Sequence, residues 1–253
     1  MSNLKYKYLN KCSGKTWIIG DVHGYANTLK TLIGKIALEK SDRLILLGDL
    51  VDRGPNSKGV FDFIIELRAS GYDIECIMGN HDYMMLNAQE EEIGNGKSFL
   101  RFLKKDVARK NWFNMGGNTT MKSFGAKRML DVDTEYYDFI QGMSHYLEDD
   151  EYLYVHAGFD FEGSEPFEDI QSMMWIRDFK VSAELTKGKK VVHGHTPVDI
   201  DFIKDVIENP DRDHFIALDN GVYLKNLRGK GRLLAFETGS KTLIEQVVQD
   251  TDY

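Results

Sequence analysis

The chain has 253 residues, 42% of them hydrophobic and 11% aromatic, which is enough to bury the core of one large domain or of one domain with an insert. Its formal net charge of −8 argues against stable nucleic-acid binding by general phosphate neutralisation, although one local cationic site could still hold a phosphorylated substrate. The distant Cys12 and Cys76 exclude a disulfide framework, and without a long apolar segment or a signal-peptide pattern we expect a cytoplasmic protein with no membrane partner.

The first third of the chain predicts alternating strands and helices. The short apolar runs at 16–19, 44–47 and 74–78 are typical of strands that are buried on both faces. Between them, residues 25–39 and 55–71 carry apolar side chains at helical spacing. This order predicts a parallel sheet covered by helices, in which ligands bind beyond the carboxyl ends of the strands.

The rest of the chain predicts a lid and a second set of strands. Residues 83–150 are charged and irregularly patterned, and we predict that they form a helical lid inserted into a single domain that spans 1–253. Strands return at 152–155, 190–192, 215–218, 233–236 and 243–248. Because regular helical spacers are missing between these strands, we predict an α/β (α+β) fold in which a two-sheet mixed β-sandwich is flanked by helices.

Polar side chains follow five of the predicted strands. The motifs are GDVHG at 20–24, GDLVDRG at 48–54, GNHD at 79–82, VHAG at 155–158 and HGHT at 193–196. Their potential metal ligands are Asp21, His23, Asp49, Asn80, His156 and His195. Oxygen and imidazole ligands without thiolate suit Mn²⁺, Fe or Zn²⁺. Six ligands are too many for one catalytic metal with an open position, but they suffice for two divalent cations if one carboxylate bridges. We expect Mn²⁺ first, with Fe or Zn²⁺ as alternatives.

The same loops carry groups that suit phosphoryl transfer. The guanidinium of Arg53, and that of Arg177 farther along the chain, can bind non-bridging phosphate oxygens. His81 directly follows Asn80, and an imidazolium there can give a proton to a leaving alkoxide. Asp52 can orient this imidazole and keep it charged.

These five motifs resemble the calcineurin-like metallophosphoesterase superfamily, and more narrowly its phosphoprotein-phosphatase type. That type includes Ser/Thr protein phosphatases and symmetrical diadenosine tetraphosphatases. The resemblance implies a first metal on Asp21 and His23, with Asp49 bridging to a second metal on Asn80, His156 and His195. It also implies that Arg53, Arg177 and Asn80 contact the phosphate. His81 would be the proton donor, oriented by Asp52. Pro197 stands where the wider superfamily has a further histidine, which points away from its nuclease branches.

The resemblance leaves the substrate open between a phosphorylated protein and a nucleotide. We expect first a Ser/Thr protein phosphatase, and as the alternative a symmetrical bis(5'-nucleosyl)-tetraphosphatase. The second activity needs an adenine site, for which the aromatic candidates are Tyr83, Phe99, Trp112, Tyr136 and Tyr137. A catalytically dead scaffold is a third hypothesis, and the complete ligand set argues against it.

Three further groups have plainer interpretations. We expect His193 to be structural rather than a substrate contact, and residues 219–221 to form a turn. The acidic run 90–92 is typical of an exposed helix face. Asp82, which ends the third motif, is expected to change little relative to the glutamate of other family members.

Overall fold

A computed structural model describes residues 4–96, 106–209, 212 and 214–251. Within these residues the strands are β1 (Tyr6–Tyr8), β2 (Thr16–Ile19), β3 (Arg43–Leu46), β4 (Asp73–Cys76), β5 (Tyr146–Glu148), β6 (Tyr152–Val155), β7 (Lys190–His193), β8 (Phe215–Ala217), β9 (Arg232–Glu237) and β10 (Leu243–Val247). The α-helices are α1 (Ala26–Ile36), α2 (Ser57–Ala69), α3 (Asn80–Gly96), α4 (Val107–Trp112), α5 (Asn118–Ser123), α6 (Thr134–Gln141), α7 (Ile170–Trp175) and α8 (Ile200–Glu208). No helix in the described ranges is both long enough and apolar enough to cross a bilayer.

The strands form two mixed sheets. One has the order β1-β5-β6-β7-β8, and the other has the order β10-β9-β2-β3-β4. In the second sheet β2, β3 and β4 are parallel, whereas β9 is antiparallel to both β2 and β10. In the first sheet β6, β7 and β8 are parallel, and β5 is antiparallel to β6. The predicted mixed two-sheet fold with flanking helices is confirmed.

Strands β2 and β3 contribute apolar side chains to two hydrophobic cores, one on each face of their sheet. Ile18 and Ile45 point between the sheets, where they join Val192 and Ile216 of the facing sheet. Their neighbours on the other face, such as Ile19, pack under α1 and α2. Because successive side chains of a strand point to opposite faces, a run without polar interruptions is the pattern that this double burial requires.

Several boundaries differ from the sequence prediction. The second helix begins at Ser57 rather than at Pro55, because the Asn56 side chain accepts a hydrogen bond from the Gly59 N–H at 2.9 Å and caps it. The short strands β1 and β5 were not predicted, and β5 lies inside the range 83–150 that was predicted to be a helical lid. One predicted aromatic candidate, Phe99, lies outside the described residues.

The acidic run at 90–92 is only partly exposed to solvent. Glu90 is exposed, as predicted, but Glu91 and Glu92 are half-buried. The Glu91 carboxylate accepts hydrogen bonds from the backbone N–H groups of residues 107–109 at 2.9, 3.1 and 3.2 Å. Glu92 accepts one from the Met129 N–H at 2.8 Å. The prediction of an exposed face is therefore wrong for these two residues, which anchor the chain after α3 onto α3.

A residue near the C-terminus satisfies the first turn of α1. The buried Asp250 carboxylate accepts the backbone N–H groups of Asn27 and Thr28 at 2.9 and 2.8 Å, and the Thr28 hydroxyl at 2.7 Å. Tyr25, which precedes the helix, makes no side-chain cap. A carboxylate at a helix N-terminus is also favoured by the helix dipole. Asp250 is thus a long-range cap for the helix that follows the GDVHG loop.

We predict that Asp250→Ala lowers the free energy of unfolding by about 1–3 kcal/mol, because it removes three hydrogen bonds to a charged acceptor and leaves backbone donors unpaired. Urea unfolding followed by far-UV circular dichroism measures this change. Asp178→Ala, which removes an exposed carboxylate, is the matched control and should stay within about 0.5 kcal/mol of the parent. Equal midpoints for the two variants would contradict the capping role.

Candidate active site

The two sheets bring their strand ends to one place. The loops after β2, β3 and β4 carry the first three motifs, while β6 and β7 deliver His156 and His195. Hydrogen bonds join the two sheets there, from the His195 backbone N–H to Asp21 Oδ1 at 3.0 Å and from His156 Nδ1 to the Leu47 carbonyl at 2.9 Å. Within one sheet, the Gly194 N–H donates to the His156 carbonyl at 2.8 Å. All six predicted ligands are buried in the resulting pocket.

One group of donor atoms already has the spacing of metal ligands. Asn80 Oδ1 lies 3.1 Å from His156 Nε2 and 3.0 Å from His195 Nδ1, and these two nitrogens are 3.2 Å apart. Ligands bound at roughly 2.0–2.2 Å and at right angles lie about 3 Å from each other. The triangle formed by Asn80, His156 and His195 therefore fits one face of a divalent cation's coordination shell.

Asp49 connects this triangle to a second group. Its Oδ1 lies 3.5 Å from His156 Nε2, and its Oδ2 lies 3.7 Å from His23 Nε2. Asp21 Oδ2 is 3.8 Å from the same His23 nitrogen. The Asp49 carboxylate thus faces two groups of donors with its two oxygens. This is the placement that a bridging ligand needs.

The imidazoles are held in the tautomer that suits a metal. His23 Nδ1 donates to the Val51 carbonyl at 2.9 Å, as His156 Nδ1 does to Leu47, so both Nε2 lone pairs point into the pocket. Within the described residues, the buried Asp21 Oδ2 has no hydrogen-bond partner. Unpartnered buried acceptors are costly unless a ligand satisfies them. The residues present therefore fit a pair of divalent cations.

The electrostatics of the pocket also favour cations. Burial lowers the pKa of His23 and His156, and burial with neighbouring cationic groups lowers the pKa of His195 to about 3, so these imidazoles are neutral. Burial, and then the Asp219 carboxylate, raise the pKa of Asp21. Burial would also raise the pKa of Asp49, and the hydrogen bond that its Oδ1 accepts from the His81 backbone N–H opposes this effect. Neutral imidazoles beside crowded carboxylates are a site for positive charge.

The loops adopt strained backbone conformations at the site. The residues with positive φ include His23 (48°), Asp49 (48°), Asp52 (73°), Arg53 (68°) and His195 (68°). Such φ values are uncommon for residues other than glycine, and they persist where the surrounding structure fixes them. Among the described residues, five of the nine with positive φ other than glycine are thus residues that we predicted to be functional.

Glycine is required where the second sheet meets Asp21. A Cβ atom built on Gly194 would lie 2.2 Å from Asp21 Oδ1. Only glycine therefore lets the backbone of the HGHT motif approach this carboxylate and allows His195 N–H to bind it. The glycine of this motif is explained by the approach of one candidate metal ligand to another.

His81 and Asp52 form a buried pair beside these groups. His81 Nδ1 lies 2.7 Å from Asp52 Oδ2, and His81 Nε2 lies 4.0 Å from Asp49 Oδ2. Burial lowers the pKa of His81, but the Asp49 and Asp52 carboxylates outweigh this effect and raise it above its ordinary value. His81, His23 and Asp49 are also close enough to one another to hold a cation together. The geometry alone is thus compatible with a proton donor and with a further ligand.

Arg53 lies at the entrance to this pair. Its guanidinium donates to His23 Nε2 at 2.7 Å and to His81 Nε2 at 3.0 Å, and it stacks on the Tyr223 ring with Cζ 4.1 Å from the ring centroid. A cation on His23 would take the lone pair that Arg53 now uses. The guanidinium would then be available to a phosphate.

A family model described as calcineurin-like phosphoesterase matches residues 14–225. The chain belongs to this family. It is 31% identical over 144 residues to a symmetrical bis(5'-nucleosyl)-tetraphosphatase of Pseudomonas fluorescens strain Pf0-1, a match that covers 56% of this chain and 41% of that protein. It is 42% identical over 72 residues to a protein of the same name in Serratia proteamaculans, covering 28% of this chain and 24% of that one. The chain thus spans less than half the length of these relatives.

Solved structures share the fold of this phosphoesterase. A putative diadenosine tetraphosphatase superposes with a TM-score of 0.65 at 18% identity, over 96% of this chain and 97% of that one. A protein serine/threonine phosphatase of Saccharomyces cerevisiae superposes with a TM-score of 0.62 at 12% identity, over 99% of this chain and 84% of that one. The predicted membership of the superfamily is therefore confirmed.

The remaining predicted site residues of the phosphoesterase lie at or behind the pocket. Arg177 is exposed, makes no ion pair within the described residues, and is near enough to lower the pKa of His195. His193 packs against the rings of Phe179 and Phe215, and burial lowers its pKa to about 4. In the turn at 219–221, Asp219 accepts the Gly221 N–H but leaves its buried Oδ2 without a partner in the described structure.

Sequence reasoning did not identify four residues that shape this site. Trp112 and Thr120 hydrogen-bond Asp52, and the Tyr223 ring covers Arg53. Asp82, which was expected to change little, accepts the backbone N–H groups of Leu50 and Gly79 at 3.0 and 3.1 Å and ties two ligand loops together. Each of these residues contacts a loop that is distant in sequence, so no local pattern reveals the contact.

We predict that Gly194→Ala weakens Mn²⁺ binding roughly ten-fold or more, because a displaced supporting contact typically costs a metal site 10–100-fold in affinity. Isothermal titration of metal-free phosphoesterase with Mn²⁺ measures this change. Gly34→Ala is the matched control, since a Cβ there meets no atom within 4 Å and the residue is exposed on α1. Unchanged affinity in Gly194→Ala would show that Asp21 is not a ligand.

Proposed function

We propose that this phosphoesterase binds two divalent cations and cleaves a phosphate ester or anhydride bond. Asp21 and His23 would hold one cation, Asn80, His156 and His195 the other, and Asp49 both. The support is the convergence of their donor atoms and the neutral state of the three imidazoles. When bound, such cations supply Lewis-acid activation of water and neutralise the charge that develops on the phosphoryl group.

The other residues of the pocket would act on the substrate itself. Arg53, once released from His23, would grip two non-bridging oxygens of the phosphate, with Asn80 beside it. Arg177 would add positive charge from the His195 side, where it is exposed to solvent. His81, oriented by Asp52, would give its proton to the leaving oxygen. Burial lowers the pKa of His81, but the Asp49 and Asp52 carboxylates raise it, which favours the protonated imidazole that this role needs once Arg53 no longer donates to its Nε2.

We propose a dinucleoside tetraphosphate, cleaved symmetrically, as the substrate. This proposal rests on the 31% identity, over 144 residues, to a protein named for that activity, which favours it over the protein phosphatase that we expected first. Of the aromatic candidates for an adenine site, Trp112, Tyr136 and Tyr137 are core residues with 0%, 4% and 2% exposure. The half-buried Tyr83 remains, and Tyr223, which lies on Arg53, is the better-placed ring for a base or ribose.

Phosphomonoester hydrolysis, including that of phosphoserine or phosphothreonine in proteins, is the second candidate. A specific observation favours it, namely the buried 2.7 Å contact between Asp52 and His81. An alkoxide leaving group needs a proton far more than a nucleoside diphosphate does, so a well-held proton donor suits the ester better than the anhydride.

The two candidates predict different kinetics. Purified protein loaded with Mn²⁺ is given diadenosine tetraphosphate or a phosphoserine peptide, and the products are resolved by chromatography. We predict a higher kcat/KM for the dinucleotide, with ADP as its sole nucleotide product and with activity lost on chelation and restored by Mn²⁺. ATP with AMP would contradict symmetrical cleavage, and a higher kcat/KM for the peptide would establish the second candidate. An Asp49→Asn variant is the control for contaminating hydrolases.

A further inference from the structure

We propose that Trp112 and Thr120 are positioning residues that hold the Asp52 carboxylate and, through it, aim His81 into the pocket. This inference rests on the proposed role of His81 as the proton donor. Neither residue belongs to a motif, and both come from the segment 107–123, formed by α4, a connection over residues 113–117 that kinks at Gly116 (φ 115°), and α5.

The hydrogen bonds to Asp52 account for both of its oxygens. Oδ2 accepts the Trp112 indole N–H at 2.8 Å and is 2.7 Å from His81 Nδ1, while Oδ1 accepts the Thr120 hydroxyl at 2.7 Å. Trp112, Thr120 and Asp52 are all fully buried. A carboxylate held at both oxygens cannot turn about its χ2 bond, so the direction in which it accepts the His81 proton is fixed.

The same threonine also holds the backbone of Asp52. Its Oγ1 lies 2.9 Å from the Asp52 backbone nitrogen and 2.9 Å from Ser57 Oγ. Asp52 has φ of 73°, a left-handed conformation that costs energy for an aspartate and needs neighbours to maintain it. Thr120 therefore fixes the strained backbone as well as the side chain of the residue that orients His81.

The segment is shaped to bring the indole to this place. A Cβ atom on Gly117 would lie 2.4 Å from Trp112 Cδ2, so the absence of a side chain lets the indole fold against its own turn. A Cβ atom on Gly116 would meet the Arg53 backbone nitrogen at 3.2 Å, which shows how closely the turn rests on the GDLVDRG loop.

A purely structural role is the competing explanation for Trp112. The chain offers a comparison, because Trp17 is also buried and its indole N–H has no hydrogen-bond partner in the described structure. Trp17 represents packing without an indole hydrogen bond, and Trp112 combines packing with a bond to the catalytic pair. Replacing each by phenylalanine therefore separates the two effects.

The first test measures dependence on the leaving group. On a phosphoserine peptide, we expect Trp112→Phe and Thr120→Val to lower kcat roughly ten-fold or more, within the roughly 10²–10⁴-fold that a general acid contributes. On p-nitrophenyl phosphate, whose leaving group needs little protonation, the loss should be less than about two-fold, and KM should be unchanged for both substrates. Thr120→Ser, which keeps the hydroxyl, should restore activity, and Trp17→Phe should lower neither rate selectively.

The second test does not depend on the substrate. The proton between His81 and Asp52 should give a strongly downfield ¹H resonance in the metal-loaded protein, assigned by its loss in His81→Asn. We expect Trp112→Phe and Thr120→Val to shift this resonance or to speed its exchange with water, whereas Thr120→Ser and Trp17→Phe should leave it in place. A resonance that is unchanged in both disrupting variants would overturn the positioning role.

The two tests also separate this inference from the proposed function. Equal kinetic losses on both substrates in Trp112→Phe and Thr120→Val, with selective loss in His81→Asn, would overturn the positioning role alone. If His81→Asn itself loses bound metal or lacks selectivity, the proton-donor role proposed for His81 and the positioning role both fail, whereas the proposed two-cation hydrolysis still stands or falls on its own kinetics. Should Trp112→Phe not fold, the Thr120→Val and Thr120→Ser pair decides the question.

Discussion

The site depends on a cluster of buried carboxylates, which can all be ionised only if cations are bound between them. The members of this carboxylate cluster are at most 2% exposed and are Asp21, Asp49, Asp52, Asp82 and Asp219. Burial, and then Asp49, raise the pKa of Asp82 to about 8, and burial raises that of Asp219 to about 7. Buried like charges of this kind are stable only with a compensating partner. The neutral imidazoles beside them supply no counter-charge and are available as metal ligands.

The rest of the fold serves to keep these groups together. Parallel strands deliver several loops to one edge of each sheet, and the packing of the two sheets brings those edges into contact. The hydrogen bonds from His195 to Asp21 and from His156 to Leu47 then tie one sheet's loops to the other's. Side chains from α5 and from the C-terminal strand region support the same loops, through Thr120 and Asp250. The strained φ values of the ligand loops are the local cost of this convergence.

Sequence alone predicted the parts of this account that local patterns record. Uninterrupted apolar runs indicated strands buried on both faces, and the polar residues at their ends indicated side chains that the fold brings together. The exposed strand β1 escaped prediction because its pairing with β5 joins residues about 140 positions apart and leaves no local period, and β5 escaped because it has only three residues and lies inside the range that was predicted to be a helical lid. The contacts of Trp112, Thr120 and Asp250 are missing for the same reason, since they are set by tertiary packing. The predicted ligand set is common to both candidate activities, so the motifs alone do not distinguish a phosphorylated protein from a dinucleotide. The named relatives favour the dinucleotide.

The central claim is that six donors scattered from Asp21 to His195 hold two cations that share Asp49. Anomalous diffraction from crystals grown with Mn²⁺ tests this claim most directly. The account predicts two anomalous peaks, one on each side of the Asp49 carboxylate, with Asn80, His156 and His195 around one and Asp21 and His23 around the other. A single peak, or peaks that do not contact Asp49, would contradict it.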